Sequence, residues 1–576
     1  MRSRIAVAAA IGLSALALFL VRDHTREDSL SADEPIHILS GYLEVFGRTA
    51  IVNIEHPPLM KALAGLALKR LPVPQPPRQI PMGNRFISYG HAFLFENVVS
   101  PDAIAAAARA PFLLVYAALL LTVFFAARAR FGDGAALFAT ALVSFDPNLN
   151  AHAGVVHTDL GAALGFLAAV LAWDRAWRDP APLRIAVAAL VLGLALATKF
   201  SCVYLLPILL LQALLLARGG ATPGRATARA LAAWLGVVCG ALLVVLAVYS
   251  AVTSRMDPGE QKQIIHEMVG ERGAPRLSRA IESLASISRP FAHYLGGLAS
   301  VARQNAAGGG VNFLNGRVSV EGFPSYFFVA LLAKSTIAFL LVLALLAAQL
   351  VAAGRGAREE AVVFLLPGAV LLLASIGSSY NIGIRHLLPV YPLLAMAAAG
   401  LFRRVQTGAI GPHPSPIGNG ALVAALWLLP LVSAVELARI HPHELSYFNP
   451  FVGGPERGRE ILSDSNVDWG LDLRRLAREI ERRRVSDPTV VYFGGDDVLY
   501  RTGVPDFSAD PRVRGRFVAI SVFHLAEGPE FYAYHGARQV AAALQALRRD
   551  LATRWRPAGR IGYSIALYEP ASGGAP

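Results

Sequence analysis

Apolar runs long enough to cross a bilayer recur along most of this 576-residue chain, and no other feature limits its folding as strongly. About 30 Å of hydrocarbon takes roughly 17 to 25 helical residues. Runs of about that length stand near residues 4–21, 110–127, 134–150, 155–173, 184–198, 200–217, 229–251, 326–352, 361–379, 384–402 and 420–438. Backbone inside hydrocarbon has to satisfy its own hydrogen bonds, so such runs become helices. The expectation is a polytopic α-helical membrane protein with about 11 transmembrane helices. Composition agrees: 55% hydrophobic residues, 16% charged residues and a mean hydropathy of +0.48 exceed what a soluble globule can cover.

Arg2 and Arg4 precede the first run as they would in a signal peptide, yet no small-residue cleavage site follows Leu20-Val21-Arg22. The run is expected to stay as an anchor. Arginine then collects at every second connection: Arg128 and Arg130, Arg175 and Arg178, Arg218 and Arg225, Arg355 and Arg358, Arg403 and Arg404. The positive-inside rule puts these ends and the N-terminus in the cytoplasm. The loops at about 22–109 and 252–325, and everything after about 439, are then extracytoplasmic, on a chain placed in the cytoplasmic (inner) membrane. A transmembrane domain over 1–438 gives way to a tail over 439–576. There a helix pattern after Trp469, β-like runs at 489–493 and 517–522 and a helix near 537–549 suggest a small α/β domain. A Gly-Pro-His-Pro-Ser-Pro turn starts at Gly411.

The net charge of +13 is spread over helix ends and forms no aromatic-interleaved stripe, which argues against nucleic acid as a partner. Cys202 and Cys239 lie inside apolar runs, where buried thiols are expected, and offer no metal-binding spacing.

Three charged islands fall on the proposed outer side: Asp33-Glu34, the run Glu55-His56-Pro57-Pro58-Leu59-Met60-Lys61, and His157-Thr158-Asp159. Asp33 suits a general base, or the pair caps a helix N-terminus. In the second island two prolines fix the backbone where Glu55, His56 and Lys61 are presented. Glu55 and His56 suit a divalent metal and Lys61 a phosphate; alternatively, the run is an interfacial turn. Asp159 is either a site residue at a membrane helix end or a cap. Arg109, Lys199, Lys334, Arg385 and His386 sit near outer ends, against the inward bias of the other basic residues. They suit a lipid-linked phosphate, or each snorkels to headgroups. No Walker loop, Ser/His/Asp signature or zinc motif is present, so a reaction here would draw on an activated substrate.

These blocks resemble those of glycosyltransferase family 39, the bacterial relatives of the protein O-mannosyltransferases, within the C-type superfamily. Asp33-Glu34 resembles the acidic motif of the first external loop, and His56 to Lys61 is similar to a His-Pro-Pro-Leu-x-Lys element. Gly316 to Phe323 followed by Ala333-Lys334-Ser335 resembles two further blocks, with Ser335-Thr336 departing from Thr-Pro. Arg385 to Pro392 resembles Arg-Tyr-Leu-Leu-Pro, and Asp464 to Leu473 a Ser-Asn-x-Asp-Trp-Gly-Gln-Asp-Leu signature.

The resemblance implies a C-type glycosyltransferase fold and inverting transfer of a hexosyl or mannosyl group from a polyprenyl-phosphate donor to an acceptor hydroxyl on a protein, lipid or glycan. It makes Asp33 the base and Glu34 a positioning group. The donor phosphate falls to Arg109, Lys199, Arg385, His386 and Lys61, with His56, His157, Asp159 and Lys334 as further candidates. Related aminoarabinose transferases carry Glu-Lys before Pro-Pro, with the Glu near a metal, where this chain has Glu55-His56; a divalent cofactor stays open. Two rivals share the sequence features: a transporter or flippase of a lipid-linked saccharide, and a catalytically silent glycolipid-binding subunit.

Overall fold

A computed structural model describes residues 2–73, 86–218, 223–352, 355–409 and 418–571. The turn from Gly411 lies outside them. All eleven apolar runs are helical, carried by Arg2–Glu27, Pro101–Phe131, Asp133–Ser144 with Pro147–Ala153, Asp159–Arg178, Pro182–Leu196, Phe200–Tyr204 with Leu205–Ala217, Pro223–Thr253, Tyr326–Lys334 with Ile337–Ala352, Arg355–Ser375, Ile384–Leu387 with Val390–Thr407, and Asn419–Ile440. Six of these helices are long and apolar enough to cross a membrane unaided, or seven if the pair broken by 115° after Lys334 is one span. The chain is a multi-pass membrane protein. Helix Val390–Thr407 is its central post, buried around almost its whole circumference, as expected of a helix apolar on all sides. Cys202 is buried, whereas Cys239 is exposed on the flank of Pro223–Thr253.

The arginine-rich ends gather at one end of the bundle. Arg128 pairs with Asp133, Arg130 and Arg178 both reach Asp174, and Arg404 pairs with Glu360. The Arg128, Arg130 and Arg404 pairs each tie neighbouring helices together, whereas Arg178 and Asp174 lie one turn apart in the same helix.

At the opposite end the first loop folds back as helices Glu34–Tyr42 and Pro58–Ala67. Their backbones approach so closely that a Cβ on Gly41 would lie 1.9 Å from the Lys61 carbonyl oxygen, and one on Gly65 2.0 Å from that of Gly41. The second loop holds helices Pro258–Ile265, Pro275–Leu284 and Arg289–Ala306, then a hairpin of β1 (Asn312–Leu314) and β2 (Arg317–Ser319).

The tail carries a four-stranded sheet of β3 (Thr489–Val491), β4 (Val518–Ser521), β5 (Trp555–Ile561) and β6 (Ile565–Pro570), in the order β3-β4-β6-β5. The β3/β4 pair is parallel and the others antiparallel. Alternating residues serve two cores. Val490, Ala519 and Leu567 pack with Leu473, Leu476 and Ile480 of helix Leu473–Arg483, while Val491, Val518 and Ile520 pack with Leu544, Leu547 and Leu551 of helix Arg538–Arg554. With helices on both faces, the strands read as apolar runs rather than alternating ones. The expected small α/β tail is thus present, and the two strands and two helices read from its sequence are all there; the β5–β6 hairpin is additional.

This tail is tied to the loop that carries Asp33. The Ser29, Ala32 and Gly495 amides donate to the carbonyls of Leu471, Trp469 and Leu30, at 2.9, 3.0 and 3.3 Å. The Arg474 amide donates to Ser29 Oγ at 2.8 Å.

Candidate active site

Five distant segments converge where the first loop, the helix ends and the tail meet. Asp33 precedes helix Glu34–Tyr42 and leaves the helix uncapped. Its Oδ2 instead accepts from Arg385 Nη1 at 2.9 Å and lies 3.3 Å from His157 Nε2. Arg385 Nη1 is also 3.0 Å from His157 Nε2. His157 Nδ1 meets Asp159 Oδ2 at 2.5 Å, and Lys199 Nζ pairs with the other oxygen of Asp159. Trp469 from the tail lies beneath the Arg385 guanidinium, 4.5 Å from its carbon, and 5.3 Å from the His157 ring. Two carboxylates thus face two cations through one imidazole.

The Asp33 side chain is 35% exposed, so it is the member of this chain that solvent or an acceptor can reach. Desolvation alone would push its carboxyl up. The Arg385 guanidinium, with His157 and His37, outweighs this and holds it well below the usual carboxylate range. Asp464 is half-buried nearby in the left-handed region, φ 55°. Burial pushes its carboxyl up to about 6 against the pull of Arg385.

Beside this cluster opens a cavity of about 400 Å³. Lys199, His56, His386 and Glu55 are among the polar residues that line it, and Leu298, Phe327 and Leu371 among the apolar ones. The Arg385 Nε is buried without a hydrogen-bond partner among the described residues, which leaves donor capacity for a ligand.

Other expected phosphate ligands are committed elsewhere. Arg109 donates from Nε and Nη2 to the two carboxylate oxygens of Glu34, both at 2.7 Å. Its other N–H groups go to the carbonyls of Thr25, Asp28 and Ser29. All five guanidinium donors are used. Glu34 is fully buried and also accepts the Ser31 and Val156 amides. Both side chains are spent on each other and on the backbone, which departs from both expectations: the pair is a brace for the loop. Lys61 is likewise buried, against Glu44 Oε1 at 2.8 Å and the Asn53 carbonyl at 2.9 Å. Lys334 donates to the Leu445 and Asn466 carbonyls, both at 2.7 Å, and lies over Phe448. It fastens a membrane helix to the tail rather than lining the site.

Of the two expected metal ligands, Glu55 turns to Arg272 at 3.7 Å, while His56 joins His37 and His157. One ligand nitrogen or more from each of these three rings lies within 4.8 Å of the others. Burial, then the facing basic groups, keeps the His37 and His56 imidazoles well below the usual histidine range and therefore uncharged.

His37 and Trp469 were not among the expected site residues. His37 stands one helical turn after Asp33 and so shares its face, a signal present in the sequence. Trp469 lay within a noted block, but its approach to Arg385 is a tertiary fact.

A multi-pass helical protein with a charged, cavity-bearing pocket under a small α/β tail is the class these features define. Residues 97–250 match the family model described as dolichyl-phosphate-mannose-protein mannosyltransferase. Over this segment the chain is mannosyltransferase-like, in agreement with the family its sequence resembles, although most of the blocks that suggested the resemblance lie outside it. Among solved structures, ArnT from Cupriavidus metallidurans bound to undecaprenyl phosphate is similar at 12% identity and a TM-score of 0.47, over 98% of this chain and 99% of that one. The archaeal oligosaccharyltransferase AglB from Archaeoglobus fulgidus, in complex with an inhibitory peptide and a dolichol-phosphate, is similar at 10% identity and a TM-score of 0.48, over 98% and 75%. Comparison with curated protein sequences returns no match.

Proposed function

We propose that this chain is a C-type glycosyltransferase that transfers a sugar, with inversion, from a polyprenyl-phosphate donor to an acceptor hydroxyl at the outer face of the cytoplasmic membrane. The observation that carries this reading is the contact of a solvent-reachable carboxylate, Asp33, with a guanidinium, Arg385, beside a cavity lined by Lys199 and by apolar side chains.

The acceptor oxygen attacks the anomeric carbon of the donor sugar, the bond from that carbon to the phosphate oxygen breaks, and the acceptor proton passes to Asp33. The negative charge that develops on the leaving lipid phosphate is met by Arg385 and Lys199, with His386 at the cavity wall. A base held well below the usual carboxylate range is a weak one. Arg385 both depresses Asp33 and suits a phosphate, so a donor that draws the guanidinium away makes Asp33 more basic when the sugar arrives. Rate then comes from positioning and from cations fixed before charge develops.

The rival reading, a flippase of a lipid-linked saccharide, shares the cations and the cavity. The charged groups collect at one end of the bundle rather than at the midplane between repeated halves, where alternating access places its site. The test is reconstitution with radiolabelled polyprenyl-phosphate hexose. Wild type should release free lipid phosphate. Asp33→Asn should lower that rate by about 10²- to 10⁴-fold, the usual contribution of a general base, while still binding donor. Arg385→Ala should weaken donor binding more than it weakens folding. Labelled lipid that only changes leaflet, with no lipid phosphate released for any acceptor tried, would establish the transport reading instead.

A further inference from the structure

A second cavity, of about 220 Å³, opens between the last turns of helix Arg2–Glu27, the start of helix Pro101–Phe131 and the tail. The proposed transfer reaction does not use it. Four arginines, Arg22, Arg26, Arg109 and Arg474, line it against one carboxylate, Asp102. Arg109 is already spent on Glu34. Asp102 is held by Arg501 at 2.5 and 3.1 Å and is shared with Arg474. The cavity therefore carries an excess of positive charge.

The excess sits on Arg22 and Arg26, which stand one turn apart on the same helix face and are both exposed. Among the described residues neither guanidinium has a hydrogen-bond or ion-pair partner. The carboxylates around them are taken: Asp23 lies 3.0 Å from His441, Glu27 pairs with Arg478, and Asp28 is 2.8 Å from His24 and 2.9 Å from Arg475. Arg474 Nε is buried, likewise without a partner among the described residues. Beneath the arginines the surface turns apolar. Phe19, three residues before Arg22 and 60% exposed, continues their face into the helix, while Ala106, Ala110 and Leu113 follow one another at helical spacing down the facing helix.

We infer that this cavity binds one anionic glycerophospholipid of the surrounding bilayer, with its phosphate between Arg22, Arg26 and Arg474 and an acyl chain along Ala106, Ala110 and Leu113. Guanidinium forks match phosphate oxygens in charge and geometry, and basic groups at a bilayer surface favour anionic lipids. A zwitterionic headgroup would bring its ammonium among the same guanidinium groups with only Asp102 to offset it. Snorkelling turns long cations to headgroups one at a time, whereas here the third cation comes from the tail, so one phosphate bridges the tail and two membrane helices. Arg474 Nη1 donates to the Arg26 carbonyl at 3.1 Å and the Arg474 amide to Ser29 Oγ at 2.8 Å. The lipid thus stiffens the segment that leads to Asp33, from the side away from the large cavity. The inference stands apart from the transfer reading, since lipid binding is measured without a sugar donor.

The experiment is native mass spectrometry of the full-length protein, delipidated in detergent and titrated separately with phosphatidylglycerol, phosphatidylcholine and inorganic phosphate, with amide exchange over residues 22–31 as a second readout. Wild type should hold one phosphatidylglycerol at least tenfold more tightly than phosphatidylcholine, and that lipid should slow the exchange. Arg22→Gln with Arg26→Gln should lower the affinity at least tenfold and abolish the slowing. Arg439→Gln removes an exposed cation from the end of helix Asn419–Ile440, outside the cavity, and should leave both unchanged. Melting profiles establish that each variant is folded, and should the double variant not fold, the exchange of wild type with and without lipid decides the matter. Phosphatidylcholine that binds as tightly would reduce the groove to ordinary lipid contact. Inorganic phosphate that slows exchange equally would make it a free-anion site, and a folded double variant that binds phosphatidylglycerol like wild type would remove the arginines from it; each of these results overturns the inference.

Discussion

Replacing Arg109 with alanine separates a loop brace from a phosphate ligand. The guanidinium holds both oxygens of a fully buried carboxylate, Glu34, and the carbonyls of Thr25, Asp28 and Ser29. Removing one partner of a buried, hydrogen-bonded pair typically costs about 3–5 kcal/mol, because the other charge stays behind uncompensated. The affected backbone, from Thr25 to Glu34, is the segment that presents Asp33. At about 1.4 kcal/mol per tenfold, a loss of about 4 kcal/mol lowers the ordering equilibrium of this loop by about 10³. Arg109→Ala should therefore show faster amide exchange over residues 28–36, a lower melting temperature and a lower kcat, with donor affinity close to that of wild type. Replacing both partners, as Glu34→Gln with Arg109→Met, should recover part of the stability, since no uncompensated buried charge is then left behind and the amide oxygen introduced at position 34 can still accept a backbone amide. Arg109→Ala that melts like wild type but binds donor tenfold more weakly would refute the reasoning and return Arg109 to the phosphate.

Trp469→Ala removes the ring beneath Arg385, 4.5 Å away. A desolvated cation–π contact is worth about 2 kcal/mol, so donor affinity should fall by about 30-fold and Trp469→Phe should regain most of it; unchanged binding in the alanine variant would reduce the ring to packing. Asp468 gives a pH prediction for the tail. Burial pushes its carboxyl up to about 7 against the hydrogen bonds from Ser521 and the Gly470 amide. The folded state then holds the proton more tightly than the unfolded chain, so the stability from this group is complete below the ordinary carboxylate pKa and is lost as pH rises through about 7. Wild type should melt lower at pH 8 than at pH 5, and Asp468→Asn should flatten that difference; an equal drop in both would count against the assignment.

The membrane helices were legible because hydrophobic length is local: each run states its own secondary structure before any partner is known. The tail's first two strands were legible for a related reason, since β3 and β4 are apolar on both faces. Strand β5 is mostly exposed and carries Arg556, Pro557, Gly559 and Arg560, so its pairing with β6 was not visible in composition. In the site, topology and family blocks together singled out Asp33 and Arg385. They did not reveal that Arg109 and Lys61 are paired with buried carboxylates, because a sequence shows a cation without showing which carboxylate has already claimed it. Glu34 lies 75 positions from Arg109, and burying such a pair leaves no local trace.

The tail's attachment explains how Asp33 and Arg385 can be set against each other at all. Asp33 lies on the loop after the first helix and Arg385 at the end of a membrane helix, so their separation depends on what holds the loop down. That hold has two parts of different chemistry. From below, Arg109 and Glu34 clamp the segment electrostatically at the start of helix Pro101–Phe131. From above, the tail pairs backbone with backbone at Ser29, Leu30 and Ala32, and the same stretch, from Trp469 to Leu471, delivers the indole to Arg385. One short piece of the tail thus sets Asp33 and Arg385 together, and a displacement of the tail moves both. In the proposed transfer an acceptor has to approach Asp33 along the exposed third of its side chain, past the residues that hold it in place.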